Sequence, residues 1–404
     1  MADDQTRATP TPQGSAFSVL LAFLRLGLTS FGGPVAHLGY FRSEFVLRRQ
    51  WLDEAAYADI VALCQFLPGP ASSQVGLAVG ILRAGLPGAV AAWIGFTLPS
   101  AVAMILFATG LGRFGALQQA AWLHGLKIVA VAVVAQAVWG MARSLTPDRQ
   151  RLSLAVAAAA FSLAVPSSLG QVGAILLGGL IGWRWLPDGS GPGGAHLAVP
   201  VRRRLAVIAL ALFFGLLVGL PLLAAATADP LVVVFDRFFR AGSLVFGGGH
   251  VVLPLLREAV VPTGWVSDDI FMAGYGAAQA VPGPLFTFAA YLGAAMGPRP
   301  TGWAGGLLCL VAIFLPSFLL VVGTLPFWSR LRRVSAVQSA LKGINAAVVG
   351  LLLAALYSPV WTSAVHASAD FALGLVAFLL LVFWKWPPWL VVVLGALGAQ
   401  IIGA

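Results

Sequence analysis

Apolar runs dominate the chain, and polar positions fall between them rather than alternating within them. Runs of roughly 20 residues, long enough to cross a bilayer as helix, recur along the whole length. Leu205–Thr227, Trp303–Leu325 and Ala336–Tyr357 are three of them. Their continuity excludes the two-residue alternation of a membrane barrel. The pattern predicts an all-α polytopic membrane protein. Two stretches interrupt it in the same way. QFLPGPASSQ (residues 65–74) and QAVPGPLFTF (residues 279–288) each set two prolines around a glycine inside helical sequence. Proline removes a backbone donor and clashes with the preceding turn, while glycine takes dihedrals other residues avoid. One helix is expected to end and another to begin at each Pro-Gly-Pro.

The interruptions belong to a duplication. LRLGLTSFGG (Leu24–Gly33) matches FRAGSLVFGG (Phe239–Gly248), Trp51 matches Trp265, and Leu98–Ser100 matches Leu315–Ser317, at offsets of 214 to 217 residues. Irregular features held in one order at one spacing mark a repeated unit. The expected organisation is a disordered tail (1–16), a first repeat (17–186), a linker with one connecting transmembrane helix (187–230) and a second repeat (231–404). If each half crosses six times, the connecting helix turns the second half upside down. The basic loops Arg143–Arg151, Arg202–Arg204 and Arg330–Arg333 then all face the cytoplasm, as the positive-inside rule requires. If Pro-Gly-Pro instead tips a hairpin returning to its own side, parallel halves can be drawn. Inverted repeats are the preferred reading, because they give two access states from one fold.

Composition narrows the function classes. Only 9% of residues are charged, against about a quarter in soluble domains. The formal charge of +10 comes from basic residues scattered between spans, so it reads as a topology signal and not as a nucleic-acid surface. Cys64 and Cys309 lie singly in apolar segments and imply neither a disulfide nor a metal site. No P-loop is present, and no cofactor is expected.

The candidate chemistry lies at the interruptions. A half-helix starting at bilayer depth exposes backbone N–H groups and the positive end of its dipole, which suits an anion. Ser72, Ser73 and Thr287 add hydroxyl donors, and Gln65 and Gln279 precede the two breaks. Simple proline kinks are the alternative. Charges within spans are mostly cationic: Arg25, Lys127, Arg240 and Lys342 form two repeat-related pairs, with Asp59 the main acidic candidate. Intramembrane charges are expensive and usually functional, so an anion pathway fits better than a cation pathway. Snorkelling or helix capping is the competing role for the four cations. His37 and His250 are not aligned by the repeat and read as packing or interface residues.

FGGPVAHLGYF, WLDEAAYADIVALCQFLPGP, FGGGHVVLP and QAVPGP resemble the chromate ion transporter family in its long form with two homologous domains. The resemblance covers about residues 17 to 403. It implies a bacterial inner-membrane protein that exports chromate and confers resistance, with sulfate as the related oxyanion. The family's motif positions fall on Phe31, Gly32, Gly33, Pro68, Gly69, Pro70, Phe246, Gly247, Gly248, Gly249, Pro282, Gly283 and Pro284. Gly249 stands where the first repeat has Pro34, so the halves are not equivalent. A dianion leaving a negative-inside cell gains about 4.6 kcal/mol per 100 mV, so membrane potential suffices as a driving force. The partners expected are a chromate or sulfate dianion and the lipid bilayer, with a homodimer compatible with the chain. A sulfate or related oxyanion importer is the second reading. An anion channel or a lipid-phosphate enzyme ranks lower.

Overall fold

The computed structural model describes residues 14–113, 121–186, 199–246, 249–297, 299–331 and 334–402. The tail residues 1–13, the linker core 187–198, Gly247 and Gly248 lie outside the described residues. The described residues contain helices and no strand.

The first repeat runs α1 (Ala16–Thr29), α2 (Gly33–Arg42) with a π-helical extension (Ser43–Arg48), α3 (Glu54–Phe66), α4 (Ala71–Arg113), α5 (Ala121–Leu145), α6 (Arg149–Ala164) and α7 (Ser168–Trp185). α8 (Arg203–Thr227) connects to α9 (Pro230–Ser243), α10 (Val252–Val260), α11 (Asp268–Ala280), α12 (Phe288–Ala295), α13 (Gly302–Thr324), the short α14 (Trp328–Leu331), α15 (Ser335–Ala355), α16 (Ser368–Val382) and α17 (Pro388–Ile402). Segments at Ala71–Leu111, Trp122–Leu145, Arg203–Thr227, Gly302–Leu331 and Ser335–Trp361 are long and apolar enough to cross a membrane. α8 buries only one stripe, Ala206, Ala209 and Phe213, and leaves Ile208, Phe214, Val218 and Leu222 exposed. Such a face belongs against lipid, not water.

Capping signals start the helices where the polar residues interrupt the apolar pattern. Asp53 accepts the Ala56 N–H at 2.7 Å to begin α3, and its repeat counterpart Ser267 accepts that of Ile270 at 3.3 Å to begin α11. Asp148 does the same for α6 through the Arg151 N–H at 2.9 Å, and that bond holds its carboxyl below the usual range.

Each Pro-Gly-Pro sits between two helices that double back. Tyr291 Oη of α12 donates to the Ile270 carbonyl of α11 at 2.8 Å, so these helices run antiparallel with residues 281–284 at their tip. In the first repeat the Arg83 guanidinium stacks 5.0 Å over Trp51, bringing the far end of segment 71–83 level with the start of α3. The chain turns again at Ala84 and Gly85, where α4 leaves helical dihedrals, and continues as a long arm over 86–113. Segment 54–83 is therefore a hairpin tipped by Pro-Gly-Pro, not one crossing helix. The first two helices also fold back, since Gly14 N–H donates to the Arg83 carbonyl at the same level.

The halves interlock by exchange. α6 and α7 of the first repeat clasp α15 of the second, while α16 and α17 of the second clasp α5 of the first. Small residues permit the close approach: a Cβ on Gly343 would meet the Gly182 Cα at 2.7 Å, and one on Gly125 would meet Ala396 Cα at 2.8 Å. The hairpin tips interlock too. Gly69 N–H donates to the Val245 carbonyl at 2.6 Å, and Gly283 N–H donates to the Ser30 carbonyl at 2.9 Å. Gly69 further abuts Ser317, and Gly283 abuts Ser100, so each tip is seated on the Leu-Pro-Ser helix of the other repeat.

Candidate functional site

Beside the first tip lies a cavity of about 640 Å³. Gly32 at the cap of α2, Pro34 in its first turn, Gln65 at the end of α3, and Gly69 and Ala71 across the tip form one wall. The last turns of α5, from Gln136 to Leu145, form another, and His250 and Asn345 close it from the second repeat. Backbone geometry fits this wall. Gly32 and Gly33 have φ of 98° and 78°, and Gly69 has φ of 127°, all positive values that disfavour a side chain. α4 begins directly at the cavity wall, with the Gln74 N–H bonded to the Pro70 carbonyl at 2.9 Å and the preceding N–H groups outside the helical ladder.

The polar groups around the tip are tightly organised. Gln74 Nε2 donates to the Pro68 carbonyl at 2.6 Å. His37, buried, spans from Ser72 Oγ (3.3 Å to Nδ1) to the Ser30 carbonyl (3.2 Å to Nε2). Ser73 Oγ is buried without a protein partner among the described residues. The second tip is more closed. Thr287 is 2% exposed and its hydroxyl donates to the Pro284 carbonyl at 2.9 Å. Gln279 is partly buried, with Nε2 lacking a protein partner among the described residues. Pro282 lies with Gly283 in the tip seated on Ser30 and Ser100.

Of the residues picked out by sequence, Gly32, Gln65 and Gly69 line the cavity. Gly33 stands across from His250, whose Nε2 would be 3.9 Å from a Cβ placed there. Ser72 and Ser73 follow the tip, buried. Phe31 packs 6.2 Å from Trp389, Phe246 packs on a core drawn from both repeats, and Gly249 starts a 3₁₀ turn leading to α10. The four cations do not converge. Arg25 stands exposed on the outer face of α1. Lys127 pairs with Asp269 at 2.6 Å, joining α5 to the start of α11. Arg240 pairs with Asp236 and lines a separate cavity of about 300 Å³ with Arg237, Glu258 and Gln171. Lys342 is partly buried on α15 and outside the lining of the large cavity. Among the described residues, no Lys or Arg lines that cavity.

Its polar lining comes instead from Gln65, Gln136, Ser144, His250 and Asn345. Only Gln65 was expected. Gln136 and Asn345 carried a signal nonetheless, since each is a carboxamide set within a long apolar span. A cavity lined in part by amide, hydroxyl and imidazole groups, beside a helix start, can bind an anion by directed hydrogen bonds.

A family model described as chromate transporter matches residues 17–183 and 232–400. The chromate transport protein of Pseudomonas aeruginosa is 30% identical over 368 residues, covering 87% of this chain and 82% of that protein. The probable chromate transport protein of Synechococcus elongatus is 27% identical, covering 94% and 93%. The chromate transport protein of Cupriavidus metallidurans is 26% identical, covering 84% and 81%. No solved structure matches the chain. Two matched regions that together take in both Pro-Gly-Pro tips and nearly all of the fold place this chain in the chromate transporter family.

Proposed function

We propose that the protein carries a tetrahedral oxyanion, chromate first, out of a bacterial cell through the inner membrane, and so confers chromate resistance. The observation that carries this reading is the cavity at one hairpin tip, walled by both repeats. The corresponding stretch of α15, Leu351 to Ala355, is apolar, with Leu351, Leu352, Ala354 and Ala355 buried and Leu353 exposed. A cavity built between two repeats suits a carrier that alternates its access.

The two units, 17–186 and 231–404, are read as inverted. Two returning hairpins leave four crossings in the first repeat, by the long arm of α4 and by α5, α6 and α7. α8 adds a fifth, and an odd number delivers the second repeat to the opposite face. This path puts Arg48, Arg49, Arg83, Arg143, Arg149, Arg151, Arg202, Arg203 and Arg204 on one face, with Arg113, Arg257 and Arg299 on the other. The arginine-rich face is then cytoplasmic. The cavity runs along α5 towards Ser144 and Leu145, at that same face. Loading from the cytoplasm and release outward gain about 4.6 kcal/mol per 100 mV for a dianion, so potential alone drives export.

Expression in a chromate-sensitive bacterium tests direction. Tolerance is expected to rise while cell-associated chromium falls. Greater sensitivity with faster sulfate entry would instead establish the importer.

A further inference from the structure

The two histidines near the tips are used differently. His37 has both ring nitrogens engaged, on Ser72 and Ser30, and is 1% exposed. It is a bolt holding the first tip to α1. Among the described residues His250 has one nitrogen engaged: Nδ1 lies 2.8 Å from the Tyr275 hydroxyl, and the residue lines the cavity. Tyr275 is fully buried, and His250 is its one hydrogen-bond partner found among the described residues. A buried phenol needs an acceptor for its proton. Nδ1 supplies it, which leaves the ring proton on Nε2. That atom is the one near Gly33, on the opposite wall, where the missing side chain keeps the approach open.

We propose that His250 is a substrate-binding residue, presenting Nε2–H to the oxyanion, and that Tyr275 is the positioning residue that fixes this tautomer. The proposal rests on the oxyanion-transport reading and specifies how the site holds its cargo. Asn345 and Gln65 reach the same cavity, and Asn345 Oδ1 has no protein partner among the described residues, so its carboxamide can turn its NH2 to the ligand. The donor set is uncharged. Neutral donors hold a dianion without the deep binding that a buried cation would impose, which suits a carrier that must also release.

The test uses purified full-length protein in proteoliposomes, with chromate as the probe and KM read separately from maximal rate. His250→Leu is expected to raise KM about tenfold or more, the scale of one lost hydrogen bond to a charged group, with the maximal rate held. His250→Gln, whose terminal NH2 reaches close to the Nε2 position, is expected to restore most of that loss. Tyr275→Phe removes one oxygen and is expected to raise KM about threefold or more. A wild-type KM in His250→Leu overturns the assignment; should that variant fail to fold, a wild-type KM in Tyr275→Phe does so. Wild-type protein that moves neither chromate nor sulfate sinks the transport reading itself, an outcome visible before any variant is made.

Discussion

Gly69→Ala is expected to cost roughly 2–5 kcal/mol and to leave little folded transporter, by left-handed strain and overpacking together. At φ 127° an L side chain is strained, and the new Cβ would fall on Gln74 Nε2 and Ser317 Oγ. Neither neighbour is free to retreat. Gln74 holds the Pro68 carbonyl, and Ser317 belongs to the other repeat and is fully buried. Gly283→Ala strains the mirrored contact less, because its Cβ would meet Ser100 Oγ at 2.9 Å and the Phe96 carbonyl at 3.1 Å. Gly39→Ala is the control: its Cβ meets nothing within 4 Å and its φ is not positive. Thermal melting in detergent, followed by size-exclusion fluorescence, ranks the three. The expected order of loss is Gly69, then Gly283, with Gly39 within about 0.5 kcal/mol of wild type.

Gly140→Trp is expected to abolish chromate flux while leaving the fold intact. Gly140 lines the cavity on α5, and a Cβ there meets nothing within 4 Å, so the indole enters open space without moving backbone. Stability is expected to stay within about 1 kcal/mol of wild type. Gly215→Trp, on the exposed face of α8 with equally open surroundings, controls for bulk alone and is expected to transport normally. Transport through Gly140→Trp at the wild-type rate would place the substrate path elsewhere.

The helical, duplicated architecture was legible because its marks are irregular. Phe-Gly-Gly, Pro-Gly-Pro and Leu-Pro-Ser recur at a near-constant offset, which smooth apolar sequence could not reveal. The direction of the chain after each tip was not legible. Proline and glycine dictate dihedrals over a few residues, whereas the return of segment 71–83 depends on distant contacts such as Arg83 on Trp51. The cations misled for a related reason. Repeat symmetry shows that Lys127 and Lys342 occupy matched positions but not what faces them, and Lys127 meets Asp269 from the other half. His250, Gln136 and Asn345 escaped notice as a group because they break the repeat. The cavity joins shared positions, Gly32, Gln65 and Gly69, to three polar residues that the halves do not share.

Everted membrane vesicles test most directly whether this cavity carries a dianion outward from the basic face. Labelled chromate is offered outside, with membrane potential and pH gradient imposed separately, to wild type and Gly140→Trp. The account predicts saturable accumulation when the lumen is positive, indifference to the pH gradient, and background uptake in Gly140→Trp. Accumulation only with a negative lumen, or equal uptake by the plugged variant, would contradict it.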